Sequence, residues 1–246
     1  MLPYQSKGDE RMDSMYEQNI VIDLEFTRPT DEEVKASLPF EIIQIGAVRV
    51  DARGNSLDTF ESYVRPWFAR DISREVKRLT GISRDDVFAA DPLEHVMTRF
   101  LEWVGKASTR VVAWSDSDFI QLSRETRFKG MPFALGSLSW LDLQKVCPRL
   151  MGVNVKGYAM GLSTAAEWCD IEISPDRLHG ALYDATVTAK LLARVMASER
   201  TPRKKALPRI VCAPDKREVL TANIGSRFAE LLDLKASLLA ASGVRS

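Results

Sequence analysis

Two carboxylates stand at the end of a short apolar run, IVIDLEF at residues 20–26. Side chains alternate across a β-strand, so residues two positions apart share one face of the sheet. We therefore expect Asp23 and Glu25 to point the same way, with Leu24 on the opposite side. Carboxylates this close repel each other, and burial raises their pKa values further. A divalent cation such as Mg²⁺ or Mn²⁺, which prefers hard oxygen ligands, relieves that repulsion. Taken alone, the pair also fits the solvated end of a strand.

A histidine and an aspartate lie close together in RLHGALYDATVTAKLL, at residues 177–192. Gly180 places His179 on a loop, and Asp184 falls in the first turns of an amphipathic helix, on the stripe that faces the core. An imidazole with a pKa of about 6.5 suits a general base, and a loop lets the base move with a substrate. Paired metal ions, about 3.5–4 Å apart, could clamp a phosphate beside it. The alternative is an acid placed near the positive end of a helix dipole.

A third acidic region lies in VVAWSDSDFIQL, at residues 111–122. The pattern predicts a buried strand, then a turn with two aspartates, and then a helix. Ser115 and Asp116 are the types of residue that cap a helix N-terminus. Asp118 is the second candidate carboxylate of the turn.

The surrounding elements should carry these residues to one place. Apolar periodicity and the positions of Gly and Pro predict strands at 19–26, 41–50, 57–65 and 110–114. The same signals predict helices at 71–79, 92–105, 118–128, 161–169 (capped by Ser163) and 181–196. Residues 27–39 are expected to form a polar loop, and residues 138–146 a strand or the start of a helix. The first three strands form an antiparallel meander, with a turn at Arg53-Gly54-Asn55. We predict an α/β fold with a ribonuclease-H-like, mixed five-stranded sheet flanked by helices.

Composition excludes several classes of protein. Lys and Arg total 34, as do Asp and Glu, so any nucleic-acid partner must be bound by local patches. The cysteines, Cys147, Cys169 and Cys212, form no CxxC pair, which argues against a zinc site and a disulfide framework. We expect a reducing, cytoplasmic location. No apolar run reaches the ~20 residues of a membrane span, and the N-terminus lacks the apolar core of a signal peptide.

The three acidic regions together resemble the DEDDh exonucleases, the DnaQ-like family that includes ribonuclease T and oligoribonuclease. The family motif D-x-E-x-T is matched at residues 23–27, W-x-x-x-D at 114–118 and H-x-x-x-x-D at 179–184. EIIQIGAVRVD (41–51), FESYVRP (60–66) and LTGI (79–82) follow the family order, and the resemblance covers about residues 19–197. The segment FESYVRP and the W-x-x-x-D spacing from Trp114 to Asp118 are similar to the motifs of the ERI-1-like and KapD-like branch. The same spacing favours Asp118 over Asp116 as the motif aspartate. Tyr183 departs from the branch, which commonly has an aspartate there.

The resemblance implies a metal-dependent 3′→5′ exonuclease that releases nucleoside 5′-monophosphates from the 3′ ends of single-stranded nucleic acid, with RNA favoured. Two Mg²⁺ or Mn²⁺ ions would be held by Asp23, Glu25, Asp118 and Asp184. Glu25 would also orient the attacking water, and His179 would be the general base. Substrate contacts would come from Leu24, Phe26, Thr27 and Trp114, and phosphate contacts from either Arg74, Lys77 and Arg78 or Arg124, Arg127 and Lys129.

Several alternatives stay open at this point. The motifs fit a DNA proofreading or repair exonuclease as well, and a catalytically weak nucleic-acid-binding module that recruits partners is a second alternative. We divide the chain into a flexible N-terminal tail at 1–17, an exonuclease domain at 18–198, and a basic linker with a C-terminal helix at 199–246. A monomer and a homodimer are both compatible with the sequence, and no membrane partner is expected.

Overall fold

The computed structural model describes residues 16–150 and 160–200, except for the side chains of 149–150 and 198–200. The expected basic linker and C-terminal helix lie outside the described residues, apart from the linker's first two residues, as does nearly all of the N-terminal tail. Among the helices in these two ranges, none combines the length and the apolar character that crossing a membrane requires.

A mixed five-stranded sheet in the order β3-β2-β1-β4-β5 forms the centre of the fold. Its strands are β1 (Gln18–Thr27), β2 (Glu41–Asp51), β3 (Ser56–Tyr63), β4 (Thr109–Ala113) and β5 (Ser139–Asp142). Strands β1, β2 and β3 pair antiparallel, whereas β1 with β4 and β4 with β5 pair parallel. The predicted α/β architecture and its antiparallel meander are therefore confirmed. The carboxyl ends of β1, β4 and β5 share one edge, where ligands of open α/β sheets commonly bind.

The turn between β2 and β3 forms where the sequence predicted it. The Asp51 carboxylate accepts hydrogen bonds from the backbone N–H groups of Arg53 and Asn55, both at 2.8 Å. Gly54 has a φ of 93°, a left-handed conformation that glycine adopts without a steric penalty. This local chemistry helps to set the register of β2 with β3, in which Gln44 pairs with Tyr63 and Gly46 with Glu61.

Eight helices flank the sheet in the described residues: α1 (Glu32–Ser37), α2 (Arg74–Thr80), α3 (Arg84–Phe88), α4 (Leu93–Val104), α5 (Ser117–Phe128), α6 (Leu143–Leu150), α7 (Leu162–Trp168) and α8 (Ala181–Arg200). Three of these differ from the sequence prediction. Helix α1 lies in the expected polar loop, because the Asp31 side chain caps it by accepting from Glu33 and Val34. Helix α3 was not predicted, and a capping box between Ser83 and Asp86 starts it. The expected cap of α7, Ser163, is wrong, since Gly161 occupies that position.

The helices cover both faces of the sheet and form two apolar layers. One face buries Val21, Val112 and Trp114 against residues of α6, α7 and α8. The other buries Ile20, Ile22, Leu24 and Phe26 with residues of α4 and α5. Alternate residues of β1 thus enter different layers, which places Asp23 and Glu25 on the face that α8 covers.

Candidate active site

Three carboxylate side chains meet where the end of β1 faces the start of α8. Oxygen atoms of Asp23, Glu25 and Asp184 all lie within 4.8 Å of one another. All three residues are buried, at 4%, 7% and 3% exposure respectively. Oδ1 of Asp184 has no hydrogen-bond partner among the described residues. A buried, unpaired carboxylate oxygen within a cluster of hard oxygens suits a divalent cation, so the residues fit the expected metal.

The close approach of α8 depends on two residues of β2. A Cβ atom at Gly46 would lie 2.1 Å from the backbone nitrogen of Leu182 and 2.2 Å from the carbonyl carbon of Ala181. Gln44 accepts a hydrogen bond from the backbone N–H of Ala181 at 3.2 Å, at the first residue of the helix. The helix therefore begins directly on the strand, and Asp184 reaches the carboxylates of β1.

Asp118 lies beside this trio, in the first turn of α5. Its Oδ1 accepts a hydrogen bond at 3.1 Å from the backbone N–H of Leu24, the residue between Asp23 and Glu25. The side chain is only 4% exposed. Asp116 instead forms an ion pair of 2.8 Å with Lys145 near the surface. Of the two aspartates in the turn, the structure therefore brings Asp118 to the site.

Burial and mutual repulsion shift the carboxyl pKa values upward. For Asp23 and Glu25, burial is the main cause of the rise, and the charges of neighbouring carboxylates, including Asp118 and Asp184, add to it. Burial also raises the pKa of Asp118 to about 7 and that of Asp184 to about 7, although a backbone hydrogen bond to each lowers it. A cluster that resists full ionisation on its own is well suited to a bound cation.

His179 lies next to the carboxylates on the loop that precedes α8. Its backbone has a left-handed φ of 66°, and its N–H donates to Oδ2 of Asp184 at 3.2 Å. The imidazole is half-buried. Burial lowers the pKa of this histidine, and the positive charge of Arg78 lowers it further. A lowered pKa favours the neutral imidazole, which is the form that can accept a proton. His95 is exposed on α4.

Tyr183, the departure from the branch pattern, has a structural contact in this loop. Its phenol oxygen accepts a hydrogen bond from the backbone N–H of Ser174 at 2.6 Å. The guanidinium of Arg177 lies 4.8 Å from the centre of the tyrosine ring. Tyr183 thus joins the loop that carries His179 to helix α8, while Asp184 keeps its place in the site.

The other candidate substrate residues are largely buried. Leu24, Phe26 and Thr27 are 4%, 9% and 2% exposed at the end of β1, and the Phe26 ring lies 6.4 Å from that of Phe40. Trp114 is 2% exposed and packs in the layer beneath α6 and α8. The phosphate role suggested for Lys129 is wrong, because its fully buried ammonium is paired with Glu41 and Glu125.

Three residues of the site were missed by sequence reasoning. Gln44 and Gly46 position α8, and Asp142 ends β5 at the shared edge, where its charge helps to raise the pKa of Asp118. A glycine inside an apolar strand signals a close backbone approach, and an acid at the end of a short strand signals the sheet edge. Those two signals could have identified Gly46 and Asp142.

Comparison with known proteins gives a matching family and several relatives. The family model RNase_T, described as exonuclease, matches residues 20–192. DNA polymerase III subunit epsilon of Aquifex aeolicus is 30% identical over 179 residues, covering 72% of this chain and 79% of that protein. ERI1 exoribonuclease 2 of Danio rerio is 30% identical over 199 residues, covering 72% of this chain but 34% of that protein. The chain therefore spans most of the first relative and about a third of the second.

Solved structures show the same fold at lower identity. The nuclease domain of 3'hExo, a DEDDh family member solved with bound rAMP, has a TM-score of 0.65 and 23% identity, covering 75% of this chain and 94% of that one. E. coli exonuclease I in complex with a dT13 oligonucleotide has a TM-score of 0.58 and 17% identity, covering 74% and 42%. The mixed sheet with its flanking helices is thus the arrangement of known nucleases.

Proposed function

We propose that this chain, which belongs to the RNase_T exonuclease family, releases nucleoside 5′-monophosphates one at a time from the 3′ ends of single-stranded nucleic acid. RNA is the preferred substrate in this proposal. The observation that carries the proposal is the convergence of Asp23, Glu25 and Asp184 within 4.8 Å in a buried position. The exoribonuclease relative from Danio rerio supports the preference for RNA. The polymerase subunit from Aquifex aeolicus supports the alternative, a DNA proofreading or repair exonuclease.

The proposed cofactors are two Mg²⁺ or Mn²⁺ ions. Asp23, Glu25, Asp118 and Asp184 would hold them, and the unpaired Oδ1 of Asp184 supports this donor set. When bound, such ions polarise the scissile phosphate and stabilise the leaving oxygen. A cytoplasmic location and a monomeric or homodimeric state complete the proposal.

The chain's own residues supply the proton transfer and the positioning. The neutral imidazole of His179 accepts the proton of the attacking water, and a Glu25 oxygen orients that water. Attack on phosphorus breaks the bond to the 3′ oxygen of the preceding nucleotide, and that oxygen takes up a proton from solvent to become the new 3′-hydroxyl end. The terminal nucleotide would lie at the end of β1. Because Leu24, Phe26 and Thr27 are largely buried there, its contacts with them would be limited to their backbone and the small exposed part of each side chain. Trp114 would support β4 from within its apolar layer.

The test is Mn²⁺-dependent shortening of a 5′-labelled oligonucleotide by the full chain. We expect Asp23→Ala and His179→Ala each to lower the rate by about 10²-fold or more, the usual contribution of a positioned base or stronger. Asp116→Ala and His95→Ala are matched controls of the same residue types, and both should retain the rate. Full activity of His179→Ala would refute its role. Matched RNA and DNA oligonucleotides decide between the two substrates.

The remaining alternative is a catalytically weak binding module. All four carboxylates and the histidine are present and close together, which favours an enzyme. Calorimetric titration with Mn²⁺ separates these alternatives, since a module without a cation site would give no binding heat.

A further inference from the structure

A groove of about 490 Å³ lies on the outer side of α5, away from the core. Phe119 and Phe128 are among the residues that line it, and Arg124 and Arg127 lie between them. No carboxylate is among the described residues that line this groove. Phe119 directly follows Asp118 in α5, so the residues that line the groove begin next to a candidate site residue in the chain. Phe128 lies ten residues after Asp118, a distance of about 15 Å along the helix at a rise of about 1.5 Å per residue.

A chain of aromatic rings extends the far end of the groove. The Phe68 ring lies 5.6 Å from that of Phe128 and 6.2 Å from that of Trp67. Trp67 is 48% exposed and Phe128 is 39% exposed, which places them among the few exposed large hydrophobic residues of the described chain. Grouped aromatic side chains at a surface commonly mark a binding site.

A buried polar network fixes the position of these aromatic residues. The carboxylate of Glu41, itself inaccessible to solvent, accepts hydrogen bonds from the backbone N–H groups of Trp67, Phe68 and Ala69 at 2.7–2.9 Å. Lys129 forms an ion pair with Glu41 at 3.5 Å, and its ammonium lies 4.9 Å from the centre of the Trp67 ring. The backbone that carries Trp67 and Phe68 is therefore held in place before any ligand arrives.

We propose that this surface, the α5 platform formed by Trp67, Phe68, Phe128, Arg124 and Arg127, binds the single-stranded nucleic acid upstream of the 3′-terminal nucleotide. Aromatic faces stack with bases of any sequence, and arginine pairs with phosphate oxygens. The combination of cationic and aromatic groups matches a single strand in both charge and chemistry. The inference rests on the proposed function, because the same strand must end at the carboxylates.

The geometry gives the platform a length dependence. At about 3.4 Å per stacked nucleotide, the 15 Å from Asp118 to Phe128 corresponds to about four nucleotides. A dinucleotide would reach the carboxylates without touching the aromatic rings. A longer strand would occupy both regions.

The experiment compares uridine oligonucleotides, a dinucleotide and a strand of about twelve nucleotides, as substrates of the full chain. For the double variant Trp67→Ala with Phe128→Ala, we expect kcat/KM on the longer strand to fall about tenfold or more, the effect of losing base stacking. The dinucleotide should be cleaved at nearly the wild-type rate. Arg127→Ala should reduce the slope of log affinity against log salt by about 0.7, the value for one single-strand phosphate contact.

Matched controls separate a local effect from a folding defect. Trp67→Phe keeps an aromatic face and should retain most of the affinity for the longer strand. Leu57→Ala removes an exposed apolar side chain on β3, and Lys106→Ala removes a cation before the start of β4, at the opposite end of that strand from Asp118. Both should behave as the wild type. Equal losses on the dinucleotide and the longer strand, or no loss on either, would overturn the platform.

Binding without turnover distinguishes this proposal from the proposed function. Fluorescence anisotropy of the labelled longer strand in excess EDTA reports binding of the strand without its cleavage. Weaker binding by the aromatic double variant, in a chain that cleaves nothing, would support the platform and refute the exonuclease. Normal cleavage and unchanged anisotropy in every variant would refute the platform. The exposed aromatic residues would then be a surface for a protein partner.

Discussion

The backbone N–H of His179 donates its hydrogen bond to Oδ2 of Asp184, whose other oxygen has no partner in the described residues. One carboxylate therefore holds the loop of the candidate base and completes the candidate cation site. The left-handed φ of 66° at His179 costs of order 1–3 kcal/mol for a residue other than glycine. A hydrogen bond to a charged group helps to hold that conformation.

The backbone of His179 makes glycine an informative substitution. His179→Gly fits the positive φ without a steric penalty and removes only the imidazole. We expect the rate to fall about 10²-fold or more, and added free imidazole to restore part of it. The rate of oligonucleotide shortening against imidazole concentration is the measurement. Activity that imidazole leaves unchanged would show that the histidine acts through its contacts rather than as the base.

The shifted carboxyl pKa values predict an unusual pH dependence of stability in EDTA. Asp118 and Asp184 have pKa values raised from 3.8 to about 7 by burial, so the folded state binds more protons than the unfolded state between these values. By linkage, stability must then fall as the pH rises from about 4 to about 7. We expect the Tm of the metal-free chain to be lower at neutral pH than at pH of about 5, as measured by thermal unfolding.

Two further measurements check the origin of this effect. Asp184→Asn removes one of the titrating groups and should flatten the pH profile. Excess Mn²⁺ at neutral pH should raise the Tm, because a ligand that binds the native state stabilises it. A metal-free Tm that rises steadily toward neutral pH would contradict the assigned shifts.

Gly46 should be intolerant of any side chain. In Gly46→Ala, the new methyl group would overlap backbone atoms of Leu182 and Ala181, which cannot rotate away as a side chain could. We expect a loss of at least about 1–3 kcal/mol in the free energy of unfolding, together with a large loss of activity as Asp184 moves with α8. Gly161→Ala is the control, since its Cβ would meet only side-chain oxygens at 3.9 Å or beyond. Equal urea midpoints for both variants would argue against the close packing.

Glu41 should contribute far more to stability than a surface acid in an ion pair. Glu41→Ala leaves three backbone N–H groups without their acceptor and Lys129 with only Glu125, at an expected cost of about 3–5 kcal/mol. Asp58→Ala breaks an ion pair with Arg49 in which Asp58 is 54% exposed, and it should cost at most about 1 kcal/mol. Urea unfolding measures both. A Glu41→Ala loss no greater than that of Asp58→Ala would contradict the network.

Sequence reasoning succeeded where the signal was local and strong. The apolar runs of β1 and β2 and the turn at Gly54 led to the meander, and strand alternation placed Asp23 and Glu25 on one face. It missed α1 and α3, which are short and depend on caps within polar sequence. The approach of Gly46 to Leu182 and the burial of Lys129 arise from tertiary packing, which periodicity does not encode. Asp116 and Asp118 were separable by spacing, and the Leu24 contact gives that choice a physical reason.

The dependence of the site on both β1 and α8 has a consequence for shortened forms of the chain. A product that stopped before Ala181 could retain every strand of the sheet, and with them Asp23, Glu25 and Asp118. It would lack Asp184 altogether, and the facing surface of β2 at Gly46 would be uncovered. Truncation or proteolysis at that point would therefore inactivate the molecule even where the remaining sheet persisted.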